Sequence, residues 1–339
     1  MTPARFAEIT DRYPSLRLAL VGDFCLDRYL EIDPALAETS IETGLPVHNV
    51  VRVRSQPGGA GTILNNLVAL GVGEVFPVGF RGDDGEGYEL QQALSRLPGV
   101  NVEAFIRTPL RRTFTYCKPL VVAEGQPPVE LNRLDSKNWS PTPTQVEGAL
   151  IGRLQELSRD LRAFILLDQV DVSETGVLTK RVLAAFGECV REHPQMLVVG
   201  DSRRGVRGWP PITSKMNLAE LCALTGLPAD ASLNSIKETA RAMAERNGRK
   251  VFITLSERGI LGASSSGEVE HVPCHPLRGP IDIVGAGDSV TANLTAALAA
   301  GATLRESIEL ANAAASIVIH QLGTTGTASV PQIRELLFP

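Results

Sequence analysis

In Asp282-Ile283-Val284-Gly285-Ala286-Gly287-Asp288, three small residues stand immediately before a carboxylate, and the run Ser289 to Ala300 that follows reads as a helix. Gly285, Ala286 and Gly287 carry almost no side chain, so their backbone N–H groups can close on a ligand. The helix behind them directs its positive end at the same point, which makes an anion site. Asp288 places a carboxylate where negative charge gathers. A base beside an anion hole suits transfer of a phosphoryl group to a hydroxyl. The Asp takes the hydroxyl proton while the amides and the helix end neutralise the moving phosphate. An isolated G-x-G-D is more simply an Asp capping a helix after a glycine turn, so its company elsewhere in the chain decides.

That company lies at the ends of apolar runs. Asn217-Leu218-Ala219-Glu220 follows a strand end, and an N-x-x-E pair there can reach a metal-bound phosphate, directly or through water; taken alone it is a helix N-cap with a first-turn Glu. Thr254-Leu255-Ser256-Glu257-Arg258-Gly259 ends another strand with two hydroxyls and a glycine, suited to phosphates or, singly, to a β-turn. Asn312 lies among small residues on a helix, which leaves room for a flat ring or simply for tight packing. A second glycine cluster, Gln56-Pro57-Gly58-Gly59-Ala60-Gly61-Thr62, precedes a helix, and Asp23 and Asp27 sit just past the first strand. Carboxylates beside backbone amides suit a polyhydroxylated substrate, because Asp accepts hydrogen bonds from paired hydroxyls.

The elements that must position these groups alternate. Leu18 to Val21, Val75 to Phe80, Ala163 to Leu167, Met196 to Val199 and Lys250 to Leu255 read as strands. Ile63 to Leu70, Gly87 to Leu97, Glu174 to Arg191 and Leu233 to Glu245 read as helices. Continuously apolar strands separated by helices predict a doubly wound α/β fold, a mostly parallel sheet covered on both faces with ligands beyond the carboxyl ends of its strands. Val47 to Arg54 and Phe105 to Leu134 lack the helical period, and the second alternates in Thr113-Phe114-Thr115-Tyr116 and Val129-Glu130-Leu131-Asn132 around Gly125, Pro127 and Pro128. These predict a small antiparallel sheet, a lid over segments near 24–56 and 104–135 of one domain spanning 1–339; its other face could pair with a second copy.

At 339 residues, 43% hydrophobic and 21% charged, the chain has the make-up of a soluble globular protein. A net charge of −5 argues against nucleic acid as a partner. Five cysteines (Cys25, Cys117, Cys189, Cys222, Cys274) at irregular spacing, none in C-x-x-C, look like reduced, mostly buried thiols. Met1 to Asp11 already carries Arg5, Glu8 and Asp11, with no apolar h-region of a signal peptide. No run approaches a bilayer-spanning length. The expectation is a cytoplasmic chain with no membrane partner.

Together these segments resemble the PfkB/ribokinase family of carbohydrate kinases, over nearly the whole chain. Gly285-Ala286-Gly287-Asp288 is similar to the family's C-terminal signature, whose Asp is the catalytic base and whose glycines form the anion hole. Gly58-Gly59-Ala60 through Asn66 and Gly71 resembles its N-terminal, sugar-side signature. The resemblance implies that Asn217 and Glu220 serve Mg²⁺ and phosphate, that Thr254, Ser256 and Gly259 lie on the nucleotide-contacting turn, and that Asn312 lies on the adenine-side helix. It further implies that Asp282 and the backbone of Val284 hold a monovalent cation such as K⁺. Within the family the likeness is to the heptose-7-phosphate kinase domain of bifunctional ADP-heptose synthases. It is carried by Val21-Gly22-Asp23 with Leu26-Asp27-Arg28-Tyr29, Glu42 with Leu45-Pro46-Val47, Leu131 to Asp135, and Ala311-Asn312-Ala313-Ala314-Ala315 with Leu322-Gly323-Thr324. With the sequence ending at Pro339, the expectation is a kinase half without the nucleotidyltransferase half. Thr62 stands where the family usually has a sugar-binding Asn, Val129-Glu130 where the heptose group tends to have paired Gln, and Ile283 for a more usual Val or Thr.

A Rossmann dehydrogenase needs G-x-G-x-x-G after the first strand, where Gly22 is instead followed by Asp23-Phe24-Cys25, and no G-x-x-x-x-G-K-[ST] P-loop occurs. His271, Cys274 and His275 suggest a metal site but lack a further Cys or His nearby. A sugar sensor on a kinase fold has no need of Asp288, Asn217 and Glu220. The expectation is an ATP- and Mg²⁺-dependent kinase of a sugar or sugar phosphate, with pentose, hexose, nucleoside or another small alcohol as alternative acceptors. Arg52, Arg54, Arg111, Arg112, Lys118 and Arg133, in or beside the lid, favour a phosphorylated acceptor, Arg133 most directly because it lies in Leu131-Asn132-Arg133-Leu134-Asp135.

Overall fold

A strand buried on both faces must be apolar at every position, and Arg17–Gly22 shows the consequence. Leu18 and Leu20 point into one hydrophobic cluster, Ala19 and Val21 into another on the opposite face. The computed structural model describes residues 1–323 and 325–339, so Thr324, part of the Leu322-Gly323-Thr324 ending, lies outside the described residues.

The chain begins with α1 (Pro3–Thr10), β1 (Arg17–Gly22), β2 (Phe24–Ile32), the short β3 (Glu38–Thr39) and β4 (Pro46–Val47), and β5 (Val50–Gly59). It continues through α2 (Ala60–Ala69), β6 (Glu74–Gly82), α3 (Gly85–Ser95), β7 (Phe105–Thr108), β8 (Phe114–Val121), β9 (Val129–Glu130) and β10 (Leu134–Ser136). Then come α4 (Thr144–Asp160), β11 (Ala163–Asp168), α5 (Lys180–Glu192), β12 (Leu197–Ser202), β13 (Thr213–Asn217), α6 (Leu218–Thr225) and α7 (Leu233–Asn247). The last elements are β14 (Val251–Thr254), β15 (Ile260–Ala263), β16 (Val269–Val272), α8 (Ala286–Ala299), α9 (Leu304–Val318) and α10 (Val330–Leu337).

The main sheet has nine strands in the order β16-β15-β14-β13-β12-β11-β1-β6-β7. Pairing is parallel from β14 through β7, and β15 and β16 close one edge antiparallel. Residues of α2, α8 and α9 fill the core on one face of its centre, and those of α4 and α5 fill the other. The carboxyl ends of β1, β11, β12, β13 and β14 therefore open side by side, carrying Asp23, Asp168, Asp201, Asn217 and Thr254.

A second sheet, β10-β8-β2-β5 with β9 on β8, stands beyond that edge. It differs from the expected antiparallel sheet in two ways. β2 and β8 run parallel, and Phe105–Thr108 joins the main sheet beside β6. Parallel partners need a crossover, and here the whole of β3 to β7 serves as one. Glu89 on α3 fastens this sheet to the body, accepting from Arg28 Nη2 of β2 at 2.8 Å and from Ser55 Oγ of β5 at 2.7 Å. The helix expected from Glu174 starts only at Lys180: Glu174 takes a left-handed φ of 67°, and the Thr179 hydroxyl caps the helix by accepting from Val182 N–H at 3.2 Å. None of the described helices is long and apolar enough to cross a membrane.

Candidate active site

At Gly285 the backbone adopts φ 82°, a conformation glycine takes without strain, and this turn starts α8. Ala286, Gly287 and Asp288 form the first helical turn, where N–H groups have no acceptor one turn earlier. Of the three donors expected from the sequence, Gly285, Ala286 and Gly287, one is spent: Ala286 N–H donates to Ile283 O at 3.2 Å. Gly287 and Asp288 retain theirs, with no backbone acceptor among the described residues. Asp282, offered as a cation ligand, accepts from Val284 N–H at 3.0 Å and braces this turn.

The Asp288 carboxyl is pushed up to about 7, chiefly by burial in the cleft and then by the nearby Asp201 charge. Lys215 and Arg203 act in the opposite direction, and the Asp27 charge reaches it from the second sheet. Lys215 is itself buried. Burial alone would lower its ammonium, but the charge and hydrogen bond of Asp201, at 2.8 Å, hold it above its ordinary value. Asp201 also accepts from Thr291 Oγ1 of α8 at 2.9 Å.

Asp23 is buried and its oxygens accept from the backbone N–H groups of Gln169 at 2.9 Å and Val177 at 2.7 Å. Burial first, and then the Asp168 charge, push it up to about 6. It secures the loop after β11 as much as it faces the cleft. Asp27 is placed differently: it lies in one row across the second sheet with Gln56 and Tyr116, and burial raises its carboxyl despite Lys118, whose Nζ stands 3.7 Å away. The next row on that face holds Tyr29, Arg54 and Lys118. Gly58 packs against Asp27, with an added Cβ falling 2.6 Å from Asp27 Oδ2, and Gly59 turns into α2 with φ 58°.

Thr62, in the first turn of α2, meets the anion turn: its methyl would lie 3.4 Å from a Cβ at Gly285. Gln56 Nε2 donates to Thr325 Oγ1 at 3.0 Å on the same side. Asn66, expected at the sugar, is fully buried and donates to Thr62 O at 3.0 Å and Gly326 O at 3.4 Å. It lies one turn farther along α2 than Thr62, and its Oδ1 has no hydrogen-bond partner among the described residues. Arg133 forks onto Asp135, at 2.6 and 3.2 Å, and lies 4.8 Å above the Tyr116 ring.

Asn217 and Glu220 form a complete capping box on α6. Asn217 Oδ1 accepts from Glu220 N–H at 2.9 Å, and Glu220 Oε2 accepts from Asn217 N–H at 2.8 Å. Glu220 also lies near Asp201 and Lys215, and burial raises its carboxyl first, with the Asp201 charge adding to it. Thr254 ends β14, and the tight turn behind it puts Ser256 at φ 52° and Gly259 at φ 87°. A Cβ on Gly259 would fall 2.0 Å from Val272 O, so only glycine fits. Asn312 on α9 donates to Pro273 O at 2.6 Å, joining that helix to the strand end beside the turn. His271 and Cys274 are tied to the carbonyls of Arg258 and Glu257, at 2.7 and 2.8 Å. Among the described residues no group of three or more His, Cys, Asp or Glu side chains is arranged to hold a metal.

Residues 24–331 match the model of the pfkB family of carbohydrate kinases. The chain belongs to that family. It is similar to the bifunctional protein HldE of Azorhizobium caulinodans, 31% identical over 91% of this chain and 61% of that protein. HldE of Trichlorobacter lovleyi is 32% identical over 93% and 61%. The chain thus spans less than two thirds of the length of these relatives. Its fold is that of Arabidopsis thaliana ribokinase complexed with ribose and ATP, with a TM-score of 0.68, 20% identity and coverage of 96% of this chain and 99% of that one. Phosphofructokinase-2 of Escherichia coli in complex with potassium superimposes with a TM-score of 0.70, 18% identity and coverage of 95% and 97%.

Several groups in this kinase-family cleft escaped the sequence reading: Asp201, Lys215, Thr291, Arg203, and the Asp168–Arg204 pair at 2.8 Å. Asp201 carried the signal used for Asp23, a carboxylate ending an apolar run. Lys215 was a charge inside a strand, two residues before Asn217.

The raised Asp288 carboxyl has a consequence for stability. The folded chain binds this proton more tightly than the unfolded one, whose value is near the ordinary 3.8. Ionised Asp288 therefore opposes folding above about pH 7, and the penalty fades with acid until it is gone below about pH 4. Asp288→Asn should melt several degrees higher than the wild type at about pH 8, with the gap closing towards about pH 4. A gap independent of pH in thermal melts would contradict this account of Asp288.

Proposed function

We propose that the chain transfers the terminal phosphoryl group of ATP to a hydroxyl of a sugar phosphate, with Asp288 as the base. The observation that carries this reading is the Asp288 carboxyl, held near 7 in the first turn of α8 beside the acceptor-free N–H groups of Gly287 and Asp288. A carboxylate of that basicity accepts a hydroxyl proton close to neutral pH, and the amides receive charge building on the phosphoryl oxygens. The acceptor lies between Asp27, Gly58, Gly59 and Thr62 on one side and Asp288 on the other. Asp27 and the Gly59 backbone orient its hydroxyls. The nucleotide runs along the ends of β13 and β14, with Asn217, Thr254, Ser256 and Gly259 beside its phosphates and Asn312 on the helix flanking its base.

Mg²⁺, when bound on the phosphates, supplies charge neutralisation, and Glu220 is the carboxylate placed to hold it through water. A divalent ion carried by phosphates needs only one or two protein carboxylates, so the donor set fits. Asp282 and the Val284 backbone are the groups that would take K⁺, a reading supported by the potassium complex of the phosphofructokinase-2 neighbour. The phosphorylated acceptor is supported by the HldE relatives and by the cations on the cleft face of the second sheet. Of the six basic residues on which the phosphate reading began, Arg111 is buried and donates to Ser140 O at 2.8 Å, and Arg52 and Arg54 pair with Glu31. Arg112 is exposed with no side-chain partner among the described residues, and Lys118 is the one beside Asp27, its Nζ 3.7 Å from that carboxylate and 3.3 Å from Tyr29 Oη.

A screen of sugars and sugar phosphates for ADP production tests the reading as a whole. Asp288→Asn should lower kcat about 10²–10⁴-fold with little change in ATP affinity, and wild-type kcat/KM should rise with pH through about 7. Near wild-type turnover of the variant removes Asp288 from the role of base.

Glu220→Gln should raise the Mg²⁺ concentration giving half-maximal rate, because one anionic partner of the hydrated ion is lost. Magnesium titrations that overlay would leave Glu220 as a helix cap only.

Lys118→Ala should raise KM for a sugar phosphate about tenfold or more while KM for ATP stays put, as expected for one charge-assisted contact. Arg133→Ala should move it in the same direction but less, because the Arg133 fork is already engaged by Asp135. Preference for free hexoses or pentoses, or unmoved KM values in both variants, sinks the phosphorylated acceptor and leaves the kinase reading standing.

A further inference from the structure

The mechanism above uses the N–H groups at the start of α8, Asp288 and Glu220, and leaves a buried cation among them without a task. Lys215 on β13 is 6% exposed, and its Nζ donates to Asp201 Oδ2 at 2.8 Å. The same oxygen accepts from Thr291 Oγ1, whose hydroxyl also lies 3.1 Å from Gly287 O. Asp201, Lys215 and Thr291 are thus locked to the first turn of α8. A Cβ built on Gly287 would stand 3.1 Å from Lys215 Nζ. The ammonium therefore lies against the α-carbon of Gly287, next to the acceptor-free N–H groups, and any side chain at that position would crowd it. An ammonium offers three donors, and Asp201 is the acceptor it has among the described residues.

A buried ion pair can be purely structural, with Lys215 there to neutralise Asp201. Two features speak for more. Asp201 needs no position under an anion turn if its only role is to be neutralised. And Gly287 leaves open the space between the ammonium and the helix N-terminus.

We propose that Lys215 is a catalytic residue whose ammonium donates to the oxygens of the transferring phosphoryl group, with Asp201 and Thr291 as the positioning groups that hold it. The inference rests on the kinase reading above. In the step it serves, the acceptor hydroxyl oxygen forms a bond to the terminal phosphorus of a nucleoside triphosphate. The bond from that phosphorus to the bridging oxygen breaks, its electron pair leaving on the nucleoside diphosphate, and the hydroxyl proton passes to Asp288. Lys215 stays protonated throughout and, held by Asp201, offers its remaining donors to the phosphoryl oxygens as the group passes from donor to acceptor.

The test compares Lys215→Met with the double variant Asp201→Asn/Lys215→Met, which removes both charges and leaves no unpaired carboxylate. Lys215→Met should lower kcat about 100-fold or more. Calorimetric titration should show affinity for a non-hydrolysable ATP analogue falling about tenfold or more, with AMP affinity unchanged. The double variant should recover the wild-type melting temperature and keep both defects. Recovery of kcat and of the preference for the analogue over AMP in the double variant would overturn the proposal and reduce Lys215 to a counter-ion. An unchanged analogue-to-AMP ratio in either variant would overturn it equally. If the wild type turns over no sugar or sugar phosphate, the kinase reading fails, and the binding ratio still decides whether Lys215 meets a terminal phosphate.

Discussion

Carboxylates can stand at the open end of a parallel sheet only if other groups replace the water they give up, and the cleft is organised around that constraint. Asp23 is satisfied by two backbone amides, Asp168 by Ser202 and Arg204, and Asp201 by Lys215 and Thr291. Asp27 has Lys118 at a longer distance. Asp288 has no ion-pair partner among the described residues, and its carboxyl is the one pushed up to about 7. Removing one member of a buried pair such as Asp201–Lys215 costs about 3–5 kcal/mol, because the other charge is left uncompensated. The fully paired acids thus fix loops and strand ends, and of the partly compensated ones, Asp27 is near enough for its charge to add to the rise of the Asp288 carboxyl. Burial does not draw that division, since Asp23, Asp27, Asp168 and Asp201 are all buried.

The second sheet obeys the same electrostatics with exposed groups. Its cleft face carries two tyrosines, each under two cations: Arg54 and Lys118 over Tyr29, Arg133 and Lys137 over Tyr116, at 4.8 to 5.7 Å from the ring centroids. An aromatic face holds a cation without removing its hydrogen-bond donors; Arg54, Arg133 and Lys137 give donors to Glu31, Asp135 and Asp171, and Lys118 has its nearest carboxylate, Asp27, at 3.7 Å. Lys137 also reaches Asp171 of the loop after β11 at 2.8 Å, which ties β10 to the body next to Tyr116. The sheet is therefore anchored at both ends, by Lys137 here and by Glu89 beneath β2 and β5.

What could be read from the sequence was whatever depends on near neighbours in the chain. The apolar runs gave β1, β6, β11 and β12 within a few residues, and Gly285-Ala286-Gly287-Asp288 marked a glycine turn into a helix. The parallel pairing of β2 with β8 was out of reach, because register between strands some ninety residues apart leaves no periodic mark on either one. Asn66, read from the likeness of the glycine segment to a sugar-side signature, proves fully buried one turn beyond Thr62, with its amide nitrogen on Thr62 O. Lys215 is the instructive omission. A lysine within a buried strand is costly unless paired, so its partner had to exist, but only the parallel register of β12 and β13 and the approach of α8 bring Asp201 to it.

Asn217 and Glu220 show why a structural and a functional reading of one motif need not compete. Each Glu220 oxygen accepts one hydrogen bond from Asn217, Oε2 from the backbone N–H and Oε1 from Nδ2 at 2.9 Å. A carboxylate oxygen has two acceptor directions, so each retains one. The cap fixes the Glu220 rotamer without consuming it, which is what an outer-shell partner of a hydrated ion requires. A free glutamate at that position would spend its flexibility on every binding event. The helix start makes the motif look ordinary, and it also removes the entropy that an unrestrained side chain would have to give up.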